Sequence, residues 1–383
     1  MVTFIGGSGH LNPLVPIVQA AAEAGHDVLL LADAFMIEPA RRLGVPVEQL
    51  GEEPASPPER LPAQDPDPAR ERKVLHERFV LDGTRTRVPQ IEAVCARWRP
   101  DILLVEELNF GGMLAGERLG LPYATVQVIV PGTFVRPQIM GDVFDQVRAE
   151  HGLPPDPTMA TITRHLLLTP FPPSYHPPEH PLPPNGHAFR PAGPVGPAAR
   201  VGEPPAWTRV RPGAPTVYFT LGTVFNMESG DLFDRVLAGL ADLPVNALAT
   251  VGPHIDPAEF GPQPNHVRVE RYVPQDSVLP WCDLVLSHGG SGTVMGSLTH
   301  GLPSVIMPLG ADQPHNAARC RELGAGITLD PVTLTPQRLC NAVAEVLAEP
   351  AHRSVAQKVG DEIGAQSSPA EIVALLERQV ASS

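Results

Sequence analysis

The chain has 383 residues, with 28 Lys and Arg against 42 Asp and Glu and a formal net charge of −14. That length exceeds one ordinary hydrophobic core and points to two domains, and the negative balance, with no basic run to offset it, excludes nucleic acid and acidic membrane surfaces as partners. Cys95, Cys282, Cys320 and Cys340 stand far apart, without a CxxC pair or a zinc-ligand spacing. No apolar stretch approaches the roughly 20 residues that span a bilayer, and the first residues lack a basic and apolar leader. The expectation is a cytoplasmic protein with no membrane span and no metal, in which any bound phosphate is held by local backbone groups rather than by a positive field.

Apolar runs bounded by Gly or Pro alternate with helical patterns from the start, as in a parallel sheet with crossover helices. VTFIGG at 2–7 reads as a strand, 14–24 as a helix closed by Gly25, 26–33 as a second strand and 35–43 as a second helix. After 45–50, the segment EEPASPPERLPAQDPDPAR is too rich in proline and acid for a core element and reads as a loop. A helix over 70–98, a strand over 100–107, a helix near 111–119 and a strand over 122–130 continue the alternation. Proline dominates 170–215 and disfavours helix interiors and central strands there. Strands then resume at 216–222, 245–251, 267–273, 283–287 and 303–308, with helical segments at 231–241 and 313–323, and three helices at 336–348, 353–364 and 369–381 end the chain. The predicted fold is α/β, with two Rossmann-like domains facing a central cleft. They are an N-terminal domain over 1–195, a Pro-rich linker over 196–215 and a C-terminal domain over 216–350, with helices over 351–383 that pack back towards the N-terminal domain.

Residues 282–320 carry the densest local signal, CDLVLSHGGSGTVMGSLTHGLPSVIMPLGADQPHNAARC. An apolar strand runs into Gly289, Gly290, Ser291, Gly292 and Thr293 and a helix begins. Such a helix start offers unpaired N–H groups and the positive end of a dipole, which bind an anion without adding net charge. Ser291 and Thr293 add hydroxyls and His288 a ring N–H. The plain alternative is a tight glycine turn with Thr293 as a cap. The GxGxxG, GxxxxGK and GxSxG patterns are all absent, so the dinucleotide, P-loop and nucleophile-elbow readings fail.

These residues stand among six ordered segments, GSGHLNP (7–13), PDILLVEE (100–107), YFTLGT (218–223), RYVPQDSVLP (271–280), HGGSGT (288–293) and PLGADQPHNA (308–317). Over nearly its whole length the chain thereby resembles the GT-B-fold, nucleotide-sugar-dependent glycosyltransferases of bacteria that decorate antibiotics and other natural products. The resemblance implies that the base of the nucleotide rests against the VPQ segment, with Tyr272 as a stacking face, Val273 as a backbone partner and Gln275 beside them. It implies that His288, Gly289, Gly290, Ser291, Gly292 and Thr293 hold the diphosphate, with Thr223 reaching it from the other side. Asp312 and Gln313 would pair with hydroxyls of the transferred sugar; the alternative is that they cap the following helix.

Transfer to an alcohol needs a base within about 3 Å of the acceptor oxygen. His10 lies in the Gly-rich turn after the first strand, at the end of an α/β sheet where ligands bind, and the resemblance makes it the general base; otherwise it is an ordinary core or capping histidine. Related enzymes orient that histidine with an Asp after the strand that here reads PDILLVEE. Glu106 falls on that position and Glu107 follows, and either carboxylate fits the role. Asp65-Pro-Asp67 mimics a metal-binding pattern but lies in the proline-rich loop and reads as solvated. No HExxH is present.

The expectation is therefore metal-independent, inverting transfer of a sugar from a TDP- or UDP-sugar, itself a substrate and not a cofactor, to a small hydrophobic aglycone. An epimerase on the same fold and a non-catalytic nucleotide-sugar-binding helper are the alternatives. Acceptor contacts are expected from loop 51–70 and from Phe79, Phe134, Ile139, Met140 and Phe144, which fit equally as core residues. A homodimer is compatible with the sequence.

Overall fold

In a computed structural model, which describes residues 1–51, 60–191, 199–200 and 202–382, the chain divides into two compact units. One comprises Met1–Ser56, Pro68–Ala192 and Gln366–Ser383, the other Pro57–Asp67 and Gly193–Ala365.

The first unit is built on seven parallel strands, β1 (Val2–Thr3), β2 (Leu30–Asp33), β3 (Val47–Leu50), β4 (Leu103–Glu106), β5 (Tyr123–Val126), β6 (Leu166–Thr169) and β7 (Gly186–Ala188). They lie in the order β3-β2-β1-β4-β5-β6-β7. Its helices are α1 (Ser8–Leu11), α2 (Val15–Glu23), α3 (Ile37–Arg41), α4 (Pro68–Val74), α5 (Gly83–Trp98), α6 (Phe110–Leu119), α7 (Pro137–Glu150) and the last helix of the chain, Pro369–Ala381. Covered on both faces, the inner strands are apolar throughout rather than alternating, and all four residues of β4, β5 and β6 are buried. Leu75–Asp82 winds as a π-helix between α4 and α5, closed where the Gly83 N–H donates to the Arg78 carbonyl five residues back.

The second unit has six parallel strands, β8 (Thr216–Thr220), β9 (Asn246–Thr250), β10 (Val267–Glu270), β11 (Leu284–Ser287), β12 (Ser304–Ile306) and β13 (Gly326–Thr328), ordered β10-β9-β8-β11-β12-β13. Its helices are α8 (Leu232–Asp242), α9 (Gln275–Val278), α10 (Ser291–Thr299), α11 (Gln313–Leu323), α12 (Pro336–Ala348) and α13 (Pro350–Gly364). In each sheet the strand order reverses at one place, between β1 and β4 in the first unit and between β8 and β11 in the second. At such a switch point neighbouring crossovers leave in opposite directions and open a crevice beyond the strand ends.

The structure differs from the sequence expectations in four places. β7 lies within the proline-rich stretch; it is three residues long and occupies the sheet edge, where missing N–H groups are tolerated. Helix α7 and strand β13 carry no distinct sequence signal and were not expected. Of the C-terminal helices, α13 packs on α10 and belongs to the second unit, and only the last packs on α2 of the first. Part of the loop expected in the N-terminal domain also belongs to the second unit: the Leu61 N–H donates to the Met227 carbonyl (2.7 Å) and Arg60 pairs with Glu259 (2.6 Å). The described end of the expected linker is likewise core: Trp207 packs with Tyr218, Leu248 and Val278. Residues 196–198 and 201 of that linker lie outside the described residues, as do 52–59 of the expected acceptor loop.

Candidate active-site residues

In the first unit, the turn after β1 and the end of β4 meet at the switch point. Gly6 takes φ +96°, a conformation that favours glycine, and a Cβ there would lie 3.0 Å from the His10 ring. The turn thus delivers α1 and places His10 Nδ1 3.1 Å from Glu106 Oε1. Glu106 is completely buried, whereas 22% of the His10 side chain is exposed, so one end of the imidazole meets a carboxylate and the group still reaches solvent. Oε1 also accepts the Leu108 N–H (2.9 Å) and Oε2 the Ile5 N–H (3.5 Å). Glu107 points elsewhere: its Oε1 accepts the N–H groups of Val128 (2.6 Å) and Ile129 (2.7 Å). Of the two carboxylates, Glu106 is the one at His10.

Phe79, from the π-helical turn, stacks on His10 with ring centroids 5.8 Å apart and planes 14° from parallel. The other residues expected to meet an aglycone do not share this position. Met140 and Phe144 are fully buried and Phe134 nearly so, in the core formed with Phe110 and Met113. Ile139 is part-buried against the same core. Helix α7 turns Met140 and Phe144 inward because that burial stabilises it by about 1.5–3 kcal/mol per large side chain, so these two side chains are core packing.

In the second unit the same position is built differently. Gly222 follows β8 with φ +73°, His288 follows β11, and Gly290 is the N-cap of α10. A Cβ on Gly222 would lie 2.7 Å from His288 Nε2, and one on Gly290 2.6 Å from it. The imidazole is therefore wedged between two glycines, with no room for a side chain at either. Burial pushes the His288 pKa down to about 4, against a weaker pull from the Thr220 backbone. It is neutral at physiological pH and offers one N–H rather than a charge.

Helix α10 starts at Ser291, and a Cβ on Gly292 in its first turn would meet nothing within 4 Å, so the open N–H groups there are sterically accessible. Gly289, at φ +86°, has a different reason to be glycine: a Cβ would strike Ile306 at 2.6 Å. Thr293 accepts a hydrogen bond from Gln275 Nε2 (3.1 Å), tying α9 to α10. Tyr272 is 65% exposed, Val273 part-buried and Thr223 exposed in the loop after β8.

Ala311 adopts φ +51°, strained for a residue with a Cβ, immediately before Asp312 and Gln313. Ser291, expected to donate to phosphate, donates instead to Asp312 Oδ2 (2.6 Å), and Asn316 Nδ2 bridges the two at 2.9 and 3.1 Å. Asp312 makes no side-chain cap of α11. Gln313 Oε1 accepts the N–H groups of Leu309 (2.8 Å) and Gly310 (3.2 Å), which leaves its amide NH2 as the donor it offers. Asn316 was not singled out from sequence; its one signal is the spacing of four from Asp312 on a helix. Asp65 and Asp67 are exposed. Among the described residues no three His, Cys, Asp or Glu side chains assemble as a metal-binding group, and no helix is long and apolar enough to cross a membrane.

Comparison with known proteins bears on the whole chain. Residues 234–378 match the family model described as erythromycin biosynthesis protein CIII-like, C-terminal domain. The chain is 28% identical to 4'-demethylrebeccamycin synthase of Lentzea aerocolonigenes, with 98% of each chain covered. It is also 28% identical to 3-alpha-mycarosylerythronolide B desosaminyl transferase of Saccharopolyspora erythraea, over 98% of this chain and 97% of that one. Among solved structures it resembles a spinosyn rhamnosyltransferase complexed with thymidine diphosphate, at TM-score 0.80 and 26% identity over 98% and 99% of the two chains. The fold is shared with a calicheamicin glycosyltransferase at TM-score 0.79 and 22% identity over 99% and 98%. With two parallel-stranded units and a glycine-rich turn at each switch point, the chain is similar over nearly its full length to antibiotic glycosyltransferases, and it shares the GT-B fold of its structural neighbours.

Proposed function

We propose that the chain transfers a sugar from a thymidine- or uridine-diphosphate sugar to a hydroxyl of a natural-product aglycone, with inversion at the anomeric carbon. The observation that carries the reading is the His10–Glu106 pair at a strand-end switch point. With Nδ1 on the carboxylate, Nε2 is the nitrogen that takes the acceptor proton as the oxygen attacks C1, and Glu106 stabilises the imidazolium that results. One displacement by the acceptor oxygen, on the face opposite the leaving diphosphate, inverts the centre.

The departing diphosphate gathers negative charge, and the first turn of α10 with the neutral N–H of His288 is suited to receive it. Donors fixed in advance stabilise such charge by on the order of several kcal/mol, since they need no reorganisation as the bond breaks. His288, Gly289, Gly290, Ser291 by its backbone N–H, Gly292 and Thr293 hold the diphosphate in this reading, with Thr223 beside it. This requires no metal. Tyr272 stacks on the nucleobase, Val273 and Gln275 support it, and Asp312 and Gln313 meet the sugar hydroxyls. The thymidine diphosphate in the spinosyn enzyme favours a thymidine-linked donor. On the acceptor side, Phe79 is the apolar surface beside His10.

The test is product stereochemistry. The protein is given TDP- and UDP-sugars with a panel of macrolide and aromatic aglycones, and the new glycosidic bond is read by NMR. Inverted configuration is expected, and a retained one would exclude the single displacement.

A further inference from the structure

Behind the His10–Glu106 pair lies a second charged pair with no assigned role. Asp33 ends β2 and Arg87 stands on α5. One Arg87 nitrogen, Nη2, bonds to Asp33 Oδ1, while the other Asp33 oxygen accepts the Gly6 N–H at 3.1 Å. Only 4% of the Arg87 side chain is exposed. Its Nη1 is buried and makes no hydrogen bond, an uncommon state for a guanidinium nitrogen that calls for an explanation. Its position depends on Gly111 of α6, where a Cβ would sit 2.5 Å from the Arg87 Cβ; only glycine lets α5 approach this closely.

An arginine buried for packing alone is an unfavourable choice, because removing its charge from water costs several kcal/mol unless opposite charges compensate. Two carboxylates do so here. Burial pulls the Arg87 pKa below its usual value, and Asp33 and Glu106 pull it the other way. The same Asp33 holds the backbone of Gly6, where the His10 ring fills the space a Cβ would need. Arg87 is thus connected to the proposed base through Glu106 on one side and through Asp33 and Gly6 on the other. The further charged group near this site is Arg78, whose guanidinium lies over the Phe79 ring.

We infer that Asp33 and Arg87 are positioning residues for His10: Asp33 fixes the Gly6 turn, and Arg87 supplies a positive charge that balances the carboxylates of Asp33 and Glu106. The inference rests on the reading of His10 as the base, but its electrostatic content is measurable without turnover.

The experiment follows the His10 ring by NMR through a pH titration of the ligand-free protein, in wild type, D33N, R87K, R87M and the double variant D33N/R87M. The single carbonyl oxygen of D33N can accept the Gly6 N–H, so the turn is held while the charge and the bond to Arg87 are removed together. Removing a negative charge disfavours the imidazolium, and the midpoint in D33N falls by about half a pH unit; removing a positive charge raises it by a similar amount in R87M. R87K stays near wild type, and the double variant, neutral again, returns close to it. The acid limb of kcat/KM moves with each midpoint, and turnover lost in R87M is regained in part by the double variant. If R87M does not fold, D33N alone decides. An unmoved midpoint in D33N, or R87K behaving as R87M does, overturns the proposal and leaves a structural ion pair. Shifted midpoints in a protein whose H10A variant still transfers sugar would instead overturn the base assignment while the coupling stands.

Discussion

The two switch points of this molecule share a scaffold and differ in what surrounds the histidine. Each pairs a left-handed glycine after the first strand of its sheet with a histidine packed against it, Gly6 with His10 and Gly222 with His288. The last residue of the adjoining strand is Glu106 in β4 but Ser287 in β11. In the first unit a buried carboxylate faces the ring, an environment for an imidazole that must carry a proton. In the second, Ser287 stands at the corresponding strand end, burial holds the ring neutral, and a helix N-terminus opens beside it, which in the proposed reading suits an anion. In the proposed reading, one strand-end residue and the depth of one ring separate the proton-accepting centre from the anion-binding one.

The strongest way to break this contrast is to remove the carboxylate. E106Q is expected to lose about 100-fold in kcat, the lower range for general-base catalysis, while E107Q, whose amide oxygen still accepts from Val128 and Ile129, stays within a few-fold of wild type. Equal losses in the two would mean that Glu106 acts only by packing. A second test presses on the wedge: G290A and G222A each push a methyl into His288 and are expected to cost about 2–3 kcal/mol, by collision and, at Gly222, by backbone strain. Chemical denaturation reads the stability, and calorimetry with TDP reads a weakened donor affinity in G290A; a neutral G290A would show that the ring has room.

Much of the scaffold was legible, for a reason the same contrast makes plain. Inner parallel strands are buried on both faces, so β4, β5, β8 and β11 announce themselves as apolar runs, and the glycines of the HGGSGT segment mark the turn from β11 into α10. What did not read were relations across the chain. Asp33 and Arg87 are 54 residues apart, Ser291 and Asp312 are 21 apart, and nothing local reports that a serine will donate to a carboxylate rather than to a ligand. For Met140 and Phe144 the sequence leaves a binding face and the core equally open, because an apolar side chain does not report what it packs against; the structure buries both. β7 was hidden because three residues at a sheet edge need no apolar run.

A gentler probe uses pH. Unfolded His288 titrates near 6.5 and the buried ring near 4. Between these values the unfolded state takes up a proton that the native state refuses, so stability falls as pH drops from 6.5 towards 4 and is insensitive to this group above 6.5. The full effect is on the order of 3 kcal/mol, and H288Q should flatten that slope in denaturant titrations; an unchanged slope would place the ring in contact with water. The smallest expected effect is in Q275A, which deletes one hydrogen bond to Thr293 at a cost of about 1 kcal/mol and is expected to loosen nucleotide binding by a few-fold in the same calorimetric assay.

The most direct measurement is the split between binding and turnover in H10A. The account predicts TDP affinity within about two-fold of wild type and transfer reduced by about 1000-fold, within the range for loss of a general base. Transfer within ten-fold of wild type, with the fold intact, would contradict it.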